Sequence, residues 1–272
     1  AATASVNYNK PVIHFAHANG FPAASYQTLF RYFSDDVLLI AVEKFGHDER
    51  FPVVNNWQNQ ADELLAEINA EAPDEQVYLV GHSFGAVISY MAACIRPDKV
   101  KGLIMLDPPL VTGWAARFFR FAKHTRLIDS LTPAGKAKIR RTRWSTDVNL
   151  HDYFSSRGLF KNMDPRCVSD YVNAVTTLHN GHIDLTFDAD VEATLFRTVP
   201  HNLHRYAGKL ACPAVLVTGD KTEVCVPKWR NPFIRANNLQ HETLPGGHMF
   251  PLEHPEQVAA FVESIVVKWE GQ

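Results

Sequence analysis

The stretch VYLVGHSFGAVISYMAACIRP, residues 77–97, decides the fold. Four apolar residues, Val77 to Val80, run into Gly81-His82-Ser83-Phe84-Gly85, and an apolar segment follows that stops at Pro97. This reads as a buried strand that hands over to a helix ended by proline. Glycine on either side of the serine has a mechanical purpose. So tight a turn strains the serine backbone, and only small neighbours let strand and helix pack that closely. The Ser83 hydroxyl is then lifted clear at the carboxyl end of the strand, beside a helix amino terminus whose dipole favours negative charge. Taken alone, five residues are equally a glycine-rich turn with an incidental serine. The apolar strand before and the apolar helix after favour the functional reading.

Outward from this stretch the pattern repeats. PVIHFAH (11–17), VLLIAVE (37–43), VKGLIMLDP (100–108) and AVLVTGD (214–220) are further buried strands. WQNQADELLAEINAEAP places Trp57, Ala61, Leu64, Leu65 and Ile68 on one helical face, with Asn55 or Asn56 as the expected cap. Near the end Val258, Phe261, Val262, Ile265 and Trp269 form another stripe. Strands that are apolar throughout and alternate with helices pair in parallel, with both sheet faces covered. Between Pro109 and Ala207 the segments turn helical, aromatic and basic without a clear strand. The expected organisation is an α/β core of residues 1–108 and 208–272 with a helical cap, 109–207, inserted between two sheet strands.

The chain has 272 residues, 46% of them hydrophobic and 21% charged, which suits one sizeable globular unit. A net charge of −2 gives no general attraction to nucleic acid. No apolar run is long enough to span a bilayer, and the opening AATASVNYNK lacks the basic-then-apolar pattern of a secretion signal. Cys94, Cys167, Cys212 and Cys225 are scattered, as buried thiols of a cytoplasmic protein would be, without metal-ligand spacing.

Three further stretches, with the serine turn, make the chain resemble the α/β-hydrolase fold superfamily along nearly its whole length. HFAHANGFP (14–22) is similar to the loop that supplies half of the superfamily's oxyanion hole, although Ala18 stands where glycine is usual. The resemblance implies a backbone N–H donor at Asn19, or at Phe21 if Asn19-Gly20-Phe21-Pro22 is the true counterpart. Phe84, next to the nucleophile, supplies the second donor. LPGGHMFPLEHPEQVAAFV (244–262) resembles the superfamily's terminal segment and implies that His248 is the general base. His82 reads as structural, and His17 as a buttress of the oxyanion loop.

The acid belongs by resemblance to VTGDKTEVCVP (217–227). The commoner spacing lands on Thr222, which cannot serve, and Glu223 is preferred. Asp107, after the strand that precedes the cap, is the second candidate, and Asp220 the third. Serine becomes nucleophilic when an imidazole takes its proton and a carboxylate holds the imidazole's tautomer. The expectation is a serine hydrolase that cleaves an ester or related acyl bond of a small, largely apolar molecule through a Ser83 acyl-enzyme, without metal or organic cofactor. Carbon–carbon or thioester hydrolysis, or a ligand-binding protein without turnover, are the alternatives. A monomer or homodimer is expected.

Residues 113–143 hold nine Lys and Arg against a single acid, Asp129, with Trp114, Phe118, Phe119 and Phe121 among the first of them. A basic amphipathic helix rests on an anionic lipid surface or lines the route of an anionic, acyl-bearing substrate. The plainer expectation is a solvated cationic face over a buried aromatic stripe. Further on, His179, His182, His201 and His204 do not converge as metal ligands would, but His179 and His182 are placed to face the active site from above.

Overall fold

A computed structural model of the chain describes residues 9–272, so the leader reading of residues 1–8 lies outside the described residues. In chain order the strands are β1 (Val12–Ala16), β2 (Leu38–Ile40), β3 (Val77–His82), β4 (Val100–Leu106), β5 (Arg143–Ser145), β6 (Thr176–His179), β7 (His182–Leu185), β8 (Ala214–Gly219) and β9 (Gln240–Leu244). The helices are α1 (Gln27–Arg31), α2 (Gln58–Glu71), α3 (Phe84–Ile95), α4 (Gly113–Ala122), α5 (Ile128–Leu131), α6 (Ala134–Ile139), α7 (Leu150–Ser155), α8 (Pro165–Val175), α9 (Ala189–Arg197), α10 (Pro227–Asn237), α11 (Phe250–Glu253) and α12 (Pro255–Glu270).

Six strands form one parallel sheet in the order β2-β1-β3-β4-β8-β9. Its central strands are apolar on both faces because both faces are covered. Within β3, Leu79 joins a core with Leu64, Ile68, Val87 and Met91 from α2 and α3. Tyr78 and Val80 point the other way, into a core with Leu29, Val258 and Val262 from α1 and α12. In β4 the same alternation sends Leu103 and Met105 to the first core, and Ile104 and Leu106 to the second. The sheet is therefore wound on both sides, and its strands end together where Ser83 and Asp107 follow β3 and β4.

Three local expectations need correction. Helix α2 has no asparagine cap: Asn56 and Trp57 both take positive φ, 63° and 60°, and the helix opens at Gln58. That kink drives the Trp57 ring into the core, where its Nε1–H donates to the Leu195 carbonyl at 2.8 Å. The second correction is an additional edge strand, β9, whose burial is largely one of exposed positions. The third lies between β4 and β8. No strand there joins the main sheet, but β5, β7 and β6 form a separate antiparallel sheet beside helices α4 to α9. Its β6–β7 turn is Asn180-Gly181 with φ of 50° and 77°, the left-handed pair that a two-residue hairpin turn needs. Among the described residues no helix is long and apolar enough to cross a membrane.

Candidate active site

Between Val77 and Cys94 every residue is buried except Ser83. Its backbone is held at φ 55° and ψ −120°. Such a conformation costs a β-substituted residue roughly 1–3 kcal/mol and persists only where the surroundings enforce it. The two glycines are part of that enforcement. A Cβ at Gly81 would lie 2.2 Å from the Gly85 carbonyl oxygen, and one at Gly85 would lie 2.0 Å from the Ala16 oxygen. Any side chain at either position would push the strand, the helix or the end of β1 apart. The hydroxyl between the glycines is thus presented, partly exposed, by a turn that tolerates nothing larger beside it.

His248 reaches this hydroxyl from the loop after β9. Its Nε2 lies 2.9 Å from Ser83 Oγ, and its Nδ1 lies 2.5 Å from Asp107 Oδ2. The ionised carboxylate can only accept, so Nδ1 carries the proton and Nε2 offers its lone pair to the serine O–H. Asp107 is fully buried and takes φ 48°, a left-handed conformation that aspartate tolerates better than most residues. The Gly219 N–H donates to its Oδ1 at 3.1 Å, and the Thr222 hydroxyl donates to its Oδ2 at 2.7 Å. Every neighbour that holds this carboxylate is a donor.

The expected acid, Glu223, is not the carboxylate that meets His248. Glu223 is exposed, and among the described residues it makes no hydrogen bond or ion pair with His248. The loop after β8 instead turns Thr222 inward, where it braces Asp107 and accepts from Val224 N–H at 3.1 Å, and this sends its neighbour Glu223 outward. Asp220 is exposed as well; its Oδ1 accepts from Gly246 N–H at 2.9 Å and pins the Gly-Gly-His loop from outside.

The HFAHANGFP loop lies against the serine turn, since the Ala16 and His17 carbonyls are the atoms nearest Gly85. The Phe21 N–H is spent on the Ala18 carbonyl at 3.0 Å, which removes it as an oxyanion donor. The Asn19 N–H forms no hydrogen bond among the described residues, and the Phe84 N–H opens α3, where no intrahelical acceptor exists. The Asn19 side chain does not turn to the serine: its Nδ2–H donates to the Glu192 carbonyl at 2.9 Å.

Two buried histidines fix these loops. His17 Nδ1–H donates to the Ala18 carbonyl at 2.7 Å, and its Nε2 accepts from Phe45 N–H at 2.9 Å. Burial lowers its pKa to about 4, so it is neutral and can play both roles. His82 points away from the serine. Its Nε2–H donates to the His248 carbonyl at 2.8 Å, and its Nδ1 accepts from Tyr26 O–H at 2.8 Å. The Tyr26 oxygen in turn accepts from Ala18 N–H at 3.1 Å. Burial, reinforced by the neighbouring His248, lowers the pKa of His82 to about 3. One neutral relay therefore ties the His248 loop to the Ala18-Asn19 loop beneath Ser83. The sequence placed His82 beside the nucleophile, but nothing in it pointed to Tyr26.

Beside the Asn19-Gly20 turn lies a partly buried ion pair between Arg140 and Glu192, at 3.0 Å. Burial raises the Glu192 pKa, and Arg140 partly offsets that shift. A Cβ at Gly20 would lie 2.0 Å from Glu192 Oε2, so Gly20 both supplies the φ of 83° and leaves room for this carboxylate. His179 and His182 do not face Ser83; both are exposed, paired across the β6–β7 hairpin. That corrects their expected position, because the hairpin turn carries them out to solvent. Among the described residues no cluster of His, Cys, Asp and Glu could hold a metal ion.

Residues 15–261 match the model of the Alpha/beta hydrolase family. The monoglyceride lipase of Rattus norvegicus is 33% identical over 112 residues, 38% of this chain and 37% of that protein. Lipase LipV of Mycobacterium tuberculosis is 35% identical over 74 residues, 27% of this chain and 28% of that protein. The matched regions thus span less than half of either relative. Among solved structures, E-2-(acetamidomethylene)succinate hydrolase superposes with a TM-score of 0.76 at 19% identity, covering 95% of this chain and 92% of that one. The peroxisomal α/β-hydrolase Lpx1 of Saccharomyces cerevisiae gives a TM-score of 0.79 at 12% identity, covering 96% of this chain and 77% of that one.

Proposed function

Since the chain belongs to the α/β-hydrolase family, we propose that it hydrolyses carboxylic esters with Ser83 as nucleophile, His248 as general base and Asp107 as the acid. The observation that carries this reading is the continuous hydrogen-bonded chain from Ser83 Oγ through His248 to Asp107. His248 Nε2 takes the serine proton as Oγ bonds to the ester carbonyl carbon. The carbonyl oxygen becomes an oxyanion, which the N–H groups of Asn19 and Phe84 stabilise; one such donor is typically worth about 3–4 kcal/mol. Collapse breaks the bond to the alcohol, which leaves with the proton that His248 returns. Water, deprotonated by the same nitrogen, then attacks the Ser83 acyl-enzyme and releases the acid.

Asp107 stays ionised throughout and stabilises the imidazolium that forms at each step. The residues between β4 and β8 act as a cap over this chemistry, and Glu192 brings the cap against Asn19 through its backbone carbonyl. The lipase names of the relatives support an ester with an apolar acyl group. A panel of aryl esters, acyl-CoA thioesters and β-diketones, with Ser83→Ala as control, tests this. Ester turnover well above the others, lost in the variant, is expected. Faster thioester or β-diketone cleavage would shift the substrate class and leave the nucleophile in place. A rate that Ser83→Ala retains would overturn the reading.

A further inference from the structure

Helix α4 faces the wrong way for a helix of a soluble core. Positions 114, 117, 118 and 121 share one helical face, and that face looks outward. Trp114 is 82% exposed, Phe121 64% and Phe118 45%, while Ala122 is buried and Phe119 packs against the core on the opposite face. The expected buried aromatic stripe is therefore turned to solvent. Leu127, Leu131 and Ile139 continue the exposure through α5 and α6. Six of the ten large apolar side chains exposed among the described residues fall between Trp114 and Ile139. One segment of the surface, not the surface in general, carries the apolar excess.

The same segment carries the positive charge. Arg117, Arg120, Arg126, Lys136 and Lys138 are exposed beside the rings, and the Arg117 guanidinium lies 5.0 Å from the centre of the Trp114 ring. Asp129, the one acid here, is paired with Arg197 at 2.7 Å, so it does not neutralise the exposed cations. Lys123 is spent inward on Asn55, Asn56 and His201. Arg117 and Arg120 also line an open cleft of about 720 Å³, together with Arg205 and His204. Exposed Trp and Phe interleaved with cations match the interfacial zone of an anionic bilayer, where rings enter the acyl boundary and cations meet headgroup phosphates.

We infer that the outward face of α4, with α5 and α6, docks on the surface of an anionic lipid bilayer. A second copy of the chain is the weaker occupant, because a symmetric contact would set these cations against their own copies. Docking would bring the cap to the headgroup layer, with α4 beginning a short loop after Asp107. The inference does not rest on ester hydrolysis, since binding is read without turnover.

The test is co-sedimentation of the full chain, wild type and Ser83→Ala, with vesicles of phosphatidylcholine alone or with about a third phosphatidylglycerol. Both proteins should bind the anionic vesicles, barely bind the neutral ones and release at high salt. Trp114→Ala with Phe121→Ala should weaken binding about tenfold or more. Arg117→Gln with Arg120→Gln should weaken it by roughly ten- to thirtyfold on the anionic vesicles alone. Unfolding midpoints near that of the wild type establish that these surface variants are folded, and the charge pair serves if the ring pair is not. The inference is overturned if the wild type binds neither vesicle, or if all variants bind as it does. It is equally overturned if light scattering finds a dimer that the ring variants dissociate while vesicle binding is absent.

Discussion

Asp107→Asn separates the two candidate acids, and its cost follows from three contacts. The carboxylate accepts from Gly219 N–H, Thr222 O–H and His248 Nδ1–H, and donates nothing. An asparagine of the same shape must turn an NH₂ toward one side. If the NH₂ faces His248 and Thr222, the imidazole is forced into the other tautomer and Nε2 no longer accepts from Ser83. That outcome typically lowers turnover by about ten-thousandfold, or roughly 5.5 kcal/mol in barrier height. If the NH₂ faces Gly219 instead, the tautomer survives, but a buried donor meets a donor and the negative charge behind the imidazolium is gone. A buried donor without an acceptor costs about 1–3 kcal/mol of stability. Either way, kcat should fall by about three to four powers of ten. Glu223→Gln, at an exposed side chain, should leave kcat within about twofold and stability within about 0.5 kcal/mol. The assay is kcat/KM on an aryl ester with a urea titration of each variant. A larger loss in Glu223→Gln than in Asp107→Asn would refute the assignment.

Other perturbations probe the scaffold. Gly85→Ala places a methyl 2.0 Å from the Ala16 oxygen, a backbone atom that cannot step aside; chemical denaturation should show a loss above about 3 kcal/mol, or no soluble protein. Tyr26→Phe breaks the relay and strands the Ala18 N–H and the His82 ring nitrogen. It should cost about 1–3 kcal/mol in stability and lower kcat more than it changes KM, whereas equal effects on both would argue against a link to the oxyanion loop. Glu63, buried beside Gly46, has its pKa raised by burial from 4.5 to about 7. The folded state therefore holds this proton more tightly than the unfolded state. Its stabilising effect is complete below the unfolded pKa and is lost as the pH rises through about 7. Melting curves should show Glu63→Gln gaining on the wild type over that window by roughly 1–2 kcal/mol after screening is allowed for. Parallel curves would contradict it.

The sheet was legible wherever strands are buried on both faces, because burial leaves an unbroken apolar run, as in β1, β3 and β4. At the edge this signal fails. Gln240–Leu244 is a polar, largely exposed strand whose neighbour covers one side only. The small sheet between β4 and β8 carries one local signal in the sequence, the Asn180-Gly181 turn between two short runs. Ser83 and His248, which the structure brings within 2.9 Å of each other, both stand in glycine-bounded motifs, and those glycines record close backbone approaches. The carboxylate that meets His248 was not legible, because a one-residue difference in how the β8 loop turns decides whether Thr222 or Glu223 points inward. Periodicity likewise gave the aromatic stripe of α4, but a stripe does not say which side the protein occupies. That depends on tertiary contacts, here Phe119 and Ala122 inward and Trp114 outward.

The most direct test of the central claim is intact mass after incubation with a fluorophosphonate, on the wild type and Ser83→Ala. An activated serine takes one phosphonyl group with loss of fluoride, and losing the nucleophile of such a set typically costs on the order of a millionfold. The account predicts a single adduct on the wild type, mapping to the peptide that contains Ser83, and none on the variant. An unmodified wild type, or an adduct that survives Ser83→Ala, would contradict it.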